Sequence, residues 1–277
     1  MYRVGLSTKG KVFDENLFKT YRDGGIYEME ISLPVSEFGN IEWEQVGAWQ
    51  EKYGVHVWTV HLPFGGMDEL SISSLDSSVI RHSLAYHDSI IKGAAGIGVR
   101  RFVIHSSAEP IEDKNRRAHL EIAKESLRHL ADTAQTYGAT LLVEELPRTC
   151  LGNSAEEMHE LLSADPRLLM CFDTNHLGTA DPVPFIREFQ DKIRHIHVSD
   201  GMPEGEKHWL PGEGMNDWQA IYHTLCDIGF SGVWMYEVEF KAPASIMRPR
   251  DLNCADFLRN AEEIFENKPL TVLGKET

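Results

Sequence analysis

Short apolar runs alternate along the chain with longer stretches in which apolar residues recur every three or four positions. The short runs, bounded by turn residues, read as strands. The longer spacing reads as amphipathic helix. The predicted strands are Tyr2–Ser7, Ile26–Ile31, His56–His61, Arg101–His105, Thr140–Glu144, Leu168–Asp173, Ile193–Ser199 and Gly232–Glu237. The predicted helices are Asp14–Tyr21, Trp43–Tyr53, Ser77–Ala95, Lys114–Tyr137, Ala155–Ser163, Val183–Gln190, Trp218–Ile228 and Asn253–Phe265. Several helices run into "KYGV", "GIGVR", "TYGAT" or "DIGFSG", each with a glycine placed to close the helix. "SAEEM" from Ser154 reads as an N-cap followed by acidic residues in the first turn.

Strands alternating with helices from end to end imply a parallel sheet with crossover helices. Eight such units in 277 residues suit an α/β fold of the (β/α)8 TIM barrel type, as a single domain over residues 1–277. The alternative is a doubly wound open sheet, which usually carries a glycine-rich phosphate loop after its first strand. "GLSTKGKVF" contains no GxGxxG, and no Walker A sequence occurs. "PGEGMNDW" could offer amides to an anion, but reads better as a helix-start turn.

The polar positions within the strands carry the chemical signal. His61, His105, Glu144, Asp173 and Glu237 each end a predicted strand, and His197 lies near the end of another. In a barrel these ends converge on the active-site face. Strand residues alternate faces. The neighbours of opposite parity are bulky: Trp58 and Val60, Phe102 and Ile104, Leu141 and Val143, Met170 and Phe172, Ile196 and Val198, Trp234 and Tyr236. The ionisable residues therefore share the barrel-axis side. In "CFDTNHLG", turn chemistry alone would explain Asp173 and His176. Six coincident strand ends are not explained that way. Carboxylates gathered in an apolar barrel mouth must be paired, hydrogen-bonded or metal-bound. A divalent cation relieves their repulsion. Two Glu, one Asp and one His form an oxygen-rich site that suits Mn²⁺, with Mg²⁺, Co²⁺ or Zn²⁺ as alternatives.

Composition adds exclusions. The net charge is −16, from 27 basic and 43 acidic residues. That argues against a nucleic-acid partner; "VRR" at Val99–Arg101 is the densest basic stretch and reads as a helix-to-strand turn. No apolar run approaches a membrane span, and "MYRVGLSTKG" reads as a strand rather than a signal peptide, so a cytoplasmic location is expected. Cys150, Cys171, Cys226 and Cys254 form no CxxC pair and are expected as buried, reduced thiols. Oligomeric state is not legible; a homo-oligomer is compatible with the pattern.

The motifs "HLPF", "FVIH", "VEELPR", "CFDTNHLG", "IRHIHVSDG", "HWLPGEG" and "WMYEVEF" resemble those of the xylose isomerase-like TIM-barrel superfamily of sugar isomerases and epimerases, over nearly the whole chain. The resemblance is nearest to the ketose 3-epimerase branch. It implies one divalent metal held by Glu144, Asp173, His197 and Glu237, with Glu144 and Glu237 as catalytic carboxylates and His176 on the substrate. The branch's substrate arginine, six residues after the metal histidine, is replaced by Pro203; His208 or Arg148 could substitute. His61, His105 and Glu30 are further candidates for substrate contact, and Trp209 and Phe64 for an apolar cover, with Trp209 equally readable as a loop anchor. His195 reads as a deeper residue behind His197. Parity selects Glu144 over Glu145 but does not separate Glu237 from Glu239; the motif position selects Glu237.

The implied activity is that of a divalent-metal-dependent isomerase or epimerase for a small-molecule sugar or sugar phosphate. It works by proton abstraction next to a carbonyl through a metal-stabilised cis-enediolate. Return of the proton to the other face gives epimerisation; return to the neighbouring carbon gives aldose–ketose isomerisation. One alternative is an endonuclease IV-like zinc phosphodiesterase of DNA repair, with extra ligands at His61, His105, His176 and His208. That branch has Asp two residues before its last histidine, where Glu206 stands. The other alternative is an inosose or sugar dehydratase on the same metal site.

Overall fold

The computed structural model describes residues 2–178, 180–202 and 205–277. The chain is a (β/α)8 TIM barrel. Its eight parallel strands are Arg3–Ser7, Glu28–Ile31, His56–His61, Arg101–His105, Thr140–Glu144, Leu169–Asp173, Ile193–Val198 and Val233–Tyr236. Numbered first to eighth, they close in the order first, eighth, seventh, sixth, fifth, fourth, third, second. The helices fall where the periodicity places them, with small shifts at the ends. Asp14 and Asn253, read as first helical residues, are N-caps whose side chains accept from Leu17 N and Ala255 N. Ser154 caps Ala155–Leu162 as expected, accepting from Glu157 N. Gly54 and Gly138 follow helices with φ of 65° and 62°, where a side chain would be strained.

Two compact units make up the chain: residues 1–31, 48–57 and 172–277, and residues 32–47 and 58–171. In the first, the first strand pairs with the second (Ser7 opposite Glu30) and with the eighth (Gly5 opposite Met235). The eighth pairs with the seventh, Met235 opposite His197. Glu237 N then donates to Val198 O at 3.1 Å, extending the ladder one step past the eighth strand. In the second unit the register sets His105 opposite Glu144 and Glu144 opposite Cys171. Val103, Leu142 and Cys171, fully buried, pack as one cluster. Val103 and Leu142 lie two residues before His105 and Glu144, so these ionisable residues share the face of that cluster.

Some elements carry no periodic signal and were not expected: the short helix Val35–Phe38, the antiparallel pair Asp200–Met202 with Gly205–Trp209, and the pair Ile246–Met247 with Lys275–Glu276. The "VRR" stretch is a helix-to-strand turn. Arg100 closes the preceding helix by donating to Ala95 O and Val99 O, both at 2.8 Å. Arg101 lies over the Trp58 ring at 3.5 Å. Three cysteines are buried, but Cys226 is exposed, contrary to expectation, because it falls on the outer side of the helix Trp218–Asp227. Among the described residues no helix is long and apolar enough to cross a membrane. Pro203 lies outside the described residues.

Candidate active site

His197 is the pivot of the first unit. It is fully buried on the seventh strand, and its Nε2 lies 3.0 Å from Glu30 Oε2. His195 places its own Nε2 2.9 Å from the same oxygen. Burial alone would raise the Glu30 carboxyl, but the two histidines outweigh it and hold it well below the usual carboxylate range. An ionised carboxylate only accepts, so both Nε2 atoms carry the proton and donate. The other nitrogen of His197 is thereby presented to the strand ends. Its Nδ1 lies 3.7 Å from Asp173 Oδ2 and 4.0 Å from Glu237 Oε2. Those separations are too long for hydrogen bonds. They suit atoms that share one cation at about 2.1 Å each. Asp173 is fixed from its other oxygen, since Asn175 N donates to Oδ1 at 2.7 Å.

A second row of polar groups follows in the same unit. His176 Nε2 lies 3.6 Å from Asp173 Oδ2 and 3.9 Å from Glu206 Oε1. Glu206 Oε2 lies 3.8 Å from His208 Nε2, and His208 Nδ1 lies 3.5 Å from Glu237 Oε2. Lys9 joins this row with its Nζ 2.9 Å from His208 Nε2 and 3.3 Å from Glu237 Oε1. The sequence reading missed Lys9 and Glu206's neighbourhood with both histidines. Lys9 is distant in sequence from its partners, and no strand-end pattern marks it.

In the second unit, Glu144 is buried and receives two histidines on one oxygen. His61 Nε2 is 3.0 Å and His105 Nε2 is 3.2 Å from Glu144 Oε2. His61 Nδ1 lies 3.0 Å from Leu62 O, an acceptor, and so carries a proton. A neutral His61 therefore turns a lone pair toward a carboxylate oxygen. Protonation of the ring or a shared cation resolves that contact, and the three residues form a group able to hold a metal ion. Phe64, 53% exposed, stacks on His105 with ring centroids 3.9 Å apart. Arg148 is half-exposed, takes a left-handed φ of 55° and pairs with Glu109.

Trp209 does not cover the site. It is fully buried, and its indole N–H donates to Ser245 Oγ at 3.1 Å, anchoring the hairpin from which His208 projects. The "PGEGMNDW" amides are used internally. Asp200 accepts from Gly212 N at 2.7 Å, Asn216 N at 3.2 Å and the Trp218 indole at 2.8 Å. Burial pushes the Asp200 carboxyl up, against the pull of those donors. Asp217 caps the helix that follows.

The chain is similar to several known proteins. Fructoselysine 3-epimerase of Escherichia coli O157:H7 is 28% identical over 120 residues, 41% of this chain and 44% of that protein. Inosose dehydratase of Lacticaseibacillus casei is 27% identical over 133 residues, 41% of this chain and 45% of that protein. The chain thus spans less than half the length of either curated relative. Among solved structures, a D-tagatose 3-epimerase-like protein superposes with a TM-score of 0.82 at 20% identity, covering 96% of this chain and 98% of that one; it shows the shared fold. The profile described as Xylose isomerase-like TIM barrel matches residues 22–255, and the chain belongs to that family.

Proposed function

We propose that the chain, as one barrel domain over residues 1–277, is a divalent-metal-dependent isomerase or epimerase of a small-molecule sugar or sugar phosphate. The observation that carries this reading is the setting of His197: Glu30 holds Nε2, and Nδ1 faces Asp173 and Glu237 at separations suited to a shared cation. In the proposal Glu144, Asp173, His197 and Glu237 hold the ion, with Mn²⁺ preferred. A bound ion supplies Lewis-acid polarisation of the sugar carbonyl. Glu30 positions His197 through one shared carboxylate oxygen. Glu237 takes the proton from the carbon beside the carbonyl, and Glu144 returns one on the opposite face. His176 and His208, bracketing Glu206, orient sugar hydroxyls, and Phe64 offers an apolar face. The sugar relatives support the substrate class. The test is a panel of ketoses in D₂O with metal-stripped and Mn²⁺-restored protein, read by NMR. Deuterium uptake next to the carbonyl, restored by metal and abolished in Glu237→Gln, is the expected result. No uptake from any ketose by the restored protein refutes it.

One observation favours a second reading. His61, His105 and Glu144 form their own candidate metal group, the arrangement expected of a multi-zinc phosphodiesterase. The net charge of −16 opposes a DNA substrate. Elemental analysis separates the two: one ion per chain with no cleavage of abasic DNA supports the sugar enzyme, whereas several zinc ions with cleavage support the phosphodiesterase. A dehydratase on the same residues would release a water-loss product in the same NMR panel.

A further inference from the structure

Lys9 belongs to none of the motifs that define the site, yet its ammonium stands beside Glu237. The turn beneath it is firmly tied. Lys9 N donates to Ser7 Oγ at 3.3 Å, and Lys11 N to Thr8 O at 2.9 Å. Lys11 Nζ donates to Ser7 O at 2.9 Å, to Lys9 O at 3.2 Å and to Val238 O at 2.9 Å. One lysine thus stitches the first strand's end to the residue that follows Glu237, so the base of Lys9 is fixed relative to that carboxylate.

The consequence is a division of labour between the two oxygens of Glu237. Oε2 faces His197 Nδ1 at 4.0 Å and His208 Nδ1 at 3.5 Å; Oε1 faces Lys9 Nζ at 3.3 Å. The Lys9 side chain is 31% exposed, whereas Asp173 and His197 are sealed. Lys9 is thus more accessible to solvent than the candidate ligands. Its other partner, His208, is held at φ 50°, a conformation that a residue with a Cβ adopts only when its surroundings impose it. With the Asn175 amide turned so that its oxygen faces the hairpin, that oxygen accepts from the amides of Lys207 and His208, both at 3.2 Å. The backbone is thus constrained where it presents His208 to Lys9.

We propose that Lys9 is a catalytic residue of this site: its ammonium donates a hydrogen bond to the substrate oxygen that becomes negative when Glu237 takes a proton from the neighbouring carbon. This rests on the sugar-enzyme reading above. In the step, the C–H bond breaks and its proton passes to the Glu237 carboxylate. Its electron pair forms the C=C bond, and the carbonyl π pair moves onto oxygen. Lys9 keeps its three protons and donates one hydrogen bond to that oxygen; the reverse step restores the carbonyl. An ammonium suits the task because it is a compact charge with three rotatable donors on a flexible stem. It can swing from Glu237 toward the developing charge without a change in backbone.

The experiment compares wild type, K9M and K9R, each loaded with Mn²⁺. It uses the ketose that exchanges deuterium fastest with wild type, and Mn²⁺ binding is titrated in parallel. A donor to a developing oxyanion is typically worth about 10²-fold or more in kcat. We expect K9M to lose about 100-fold in kcat, with KM and Mn²⁺ affinity within about threefold, and K9R to regain about tenfold. A K9M protein whose kcat stays within about threefold of wild type overturns the proposal. So does a loss in kcat matched by lost Mn²⁺ affinity, which would make Lys9 structural. If wild type exchanges no ketose, the sugar reading fails and this inference falls with it. An active wild type with an equally active K9M removes Lys9 alone.

Discussion

Replacing Glu30 by Gln isolates the orienting of His197 from the act of ligation. One Glu30 oxygen accepts from His195 at 2.9 Å and His197 at 3.0 Å, and the residue is fully buried. The amide keeps an acceptor oxygen of the same reach but loses the charge. A hydrogen bond to a charged group contributes ~1.5–3 kcal/mol and a neutral one ~0.5–1.5. Each bond thus weakens by ~1 kcal/mol and the pair by ~2 kcal/mol. Only the His197 bond bears on the candidate ion, so if that preference is what fixes Nδ1 toward Asp173 and Glu237, metal affinity falls about fivefold, at ~1.4 kcal/mol per factor of ten. That is somewhat below the roughly 10–100-fold range typical of partners that orient a ligand. The two imidazoles are not stranded with an unpaired charge, so the metal-free variant should melt within about 5 °C of wild type. Calorimetric titration of Mn²⁺ into metal-stripped protein measures the first quantity and thermal unfolding the second. Affinity within about threefold of wild type, or a large loss of melting temperature with intact affinity, refutes the orienting role.

Three further outcomes are expected. His87 is buried and donates through Nε2 to Pro63 O at 2.8 Å, and burial lowers its pKa to about 4. Relative to an unfolded value of about 6.5, the folded state binds fewer protons between those limits. Stability is therefore full above pH ~6.5 and falls by roughly 3 kcal/mol as pH drops to 4. Urea unfolding of His87→Gln should show a shallower loss over that range; parallel slopes would discard the assignment. Arg248 and Glu213 form a fully buried ion pair at 2.6 Å, so Glu213→Gln should cost ~3–5 kcal/mol by chemical denaturation, and a cost below ~1 kcal/mol would contradict it. Phe64→Ala should leave stability within ~1 kcal/mol because the ring is 53% exposed. It should raise the sugar KM by about 3- to 10-fold through lost stacking; an unchanged KM would show that the ring does not meet substrate.

Most of the barrel was legible because its strands are bounded by turn residues and its helices by caps. His56–His61, Arg101–His105 and Thr140–Glu144 match the structure to the residue. Parity within those strands also grouped residues that share a face, since Val103 and Leu142 pack in one core cluster. The hairpin carrying His208 was not legible, because two short antiparallel strands have no helical or alternating period to detect. Nor was Lys9, which meets Glu237 across 228 positions of sequence. Residue type misleads at Glu30, which suggests a polar contact to substrate, whereas one of its oxygens binds both His195 and His197. Trp209 fits either a cover or a loop anchor from sequence alone, and its burial and its bond to Ser245 Oγ make it the anchor.

Asp200 has a bearing on how this site could change over time. It collects backbone amides at Gly212 and Asn216 and the Trp218 indole, so one carboxylate dictates the path between the His208 hairpin and the next helix. Met215 within that path is 68% exposed. Because the path is set by a side chain outside it and by the Met215 amide bond to Gly201 O, the Met215 side chain is released from duty to the fold. Met215 is a natural place for substitutions to accumulate while the strand-end carboxylates and histidines stay in place. Substitutions at Met215 should therefore cost folding little, whereas Glu213 beside it is held by its buried pair with Arg248 and Asn216 by its bond to Thr174 O.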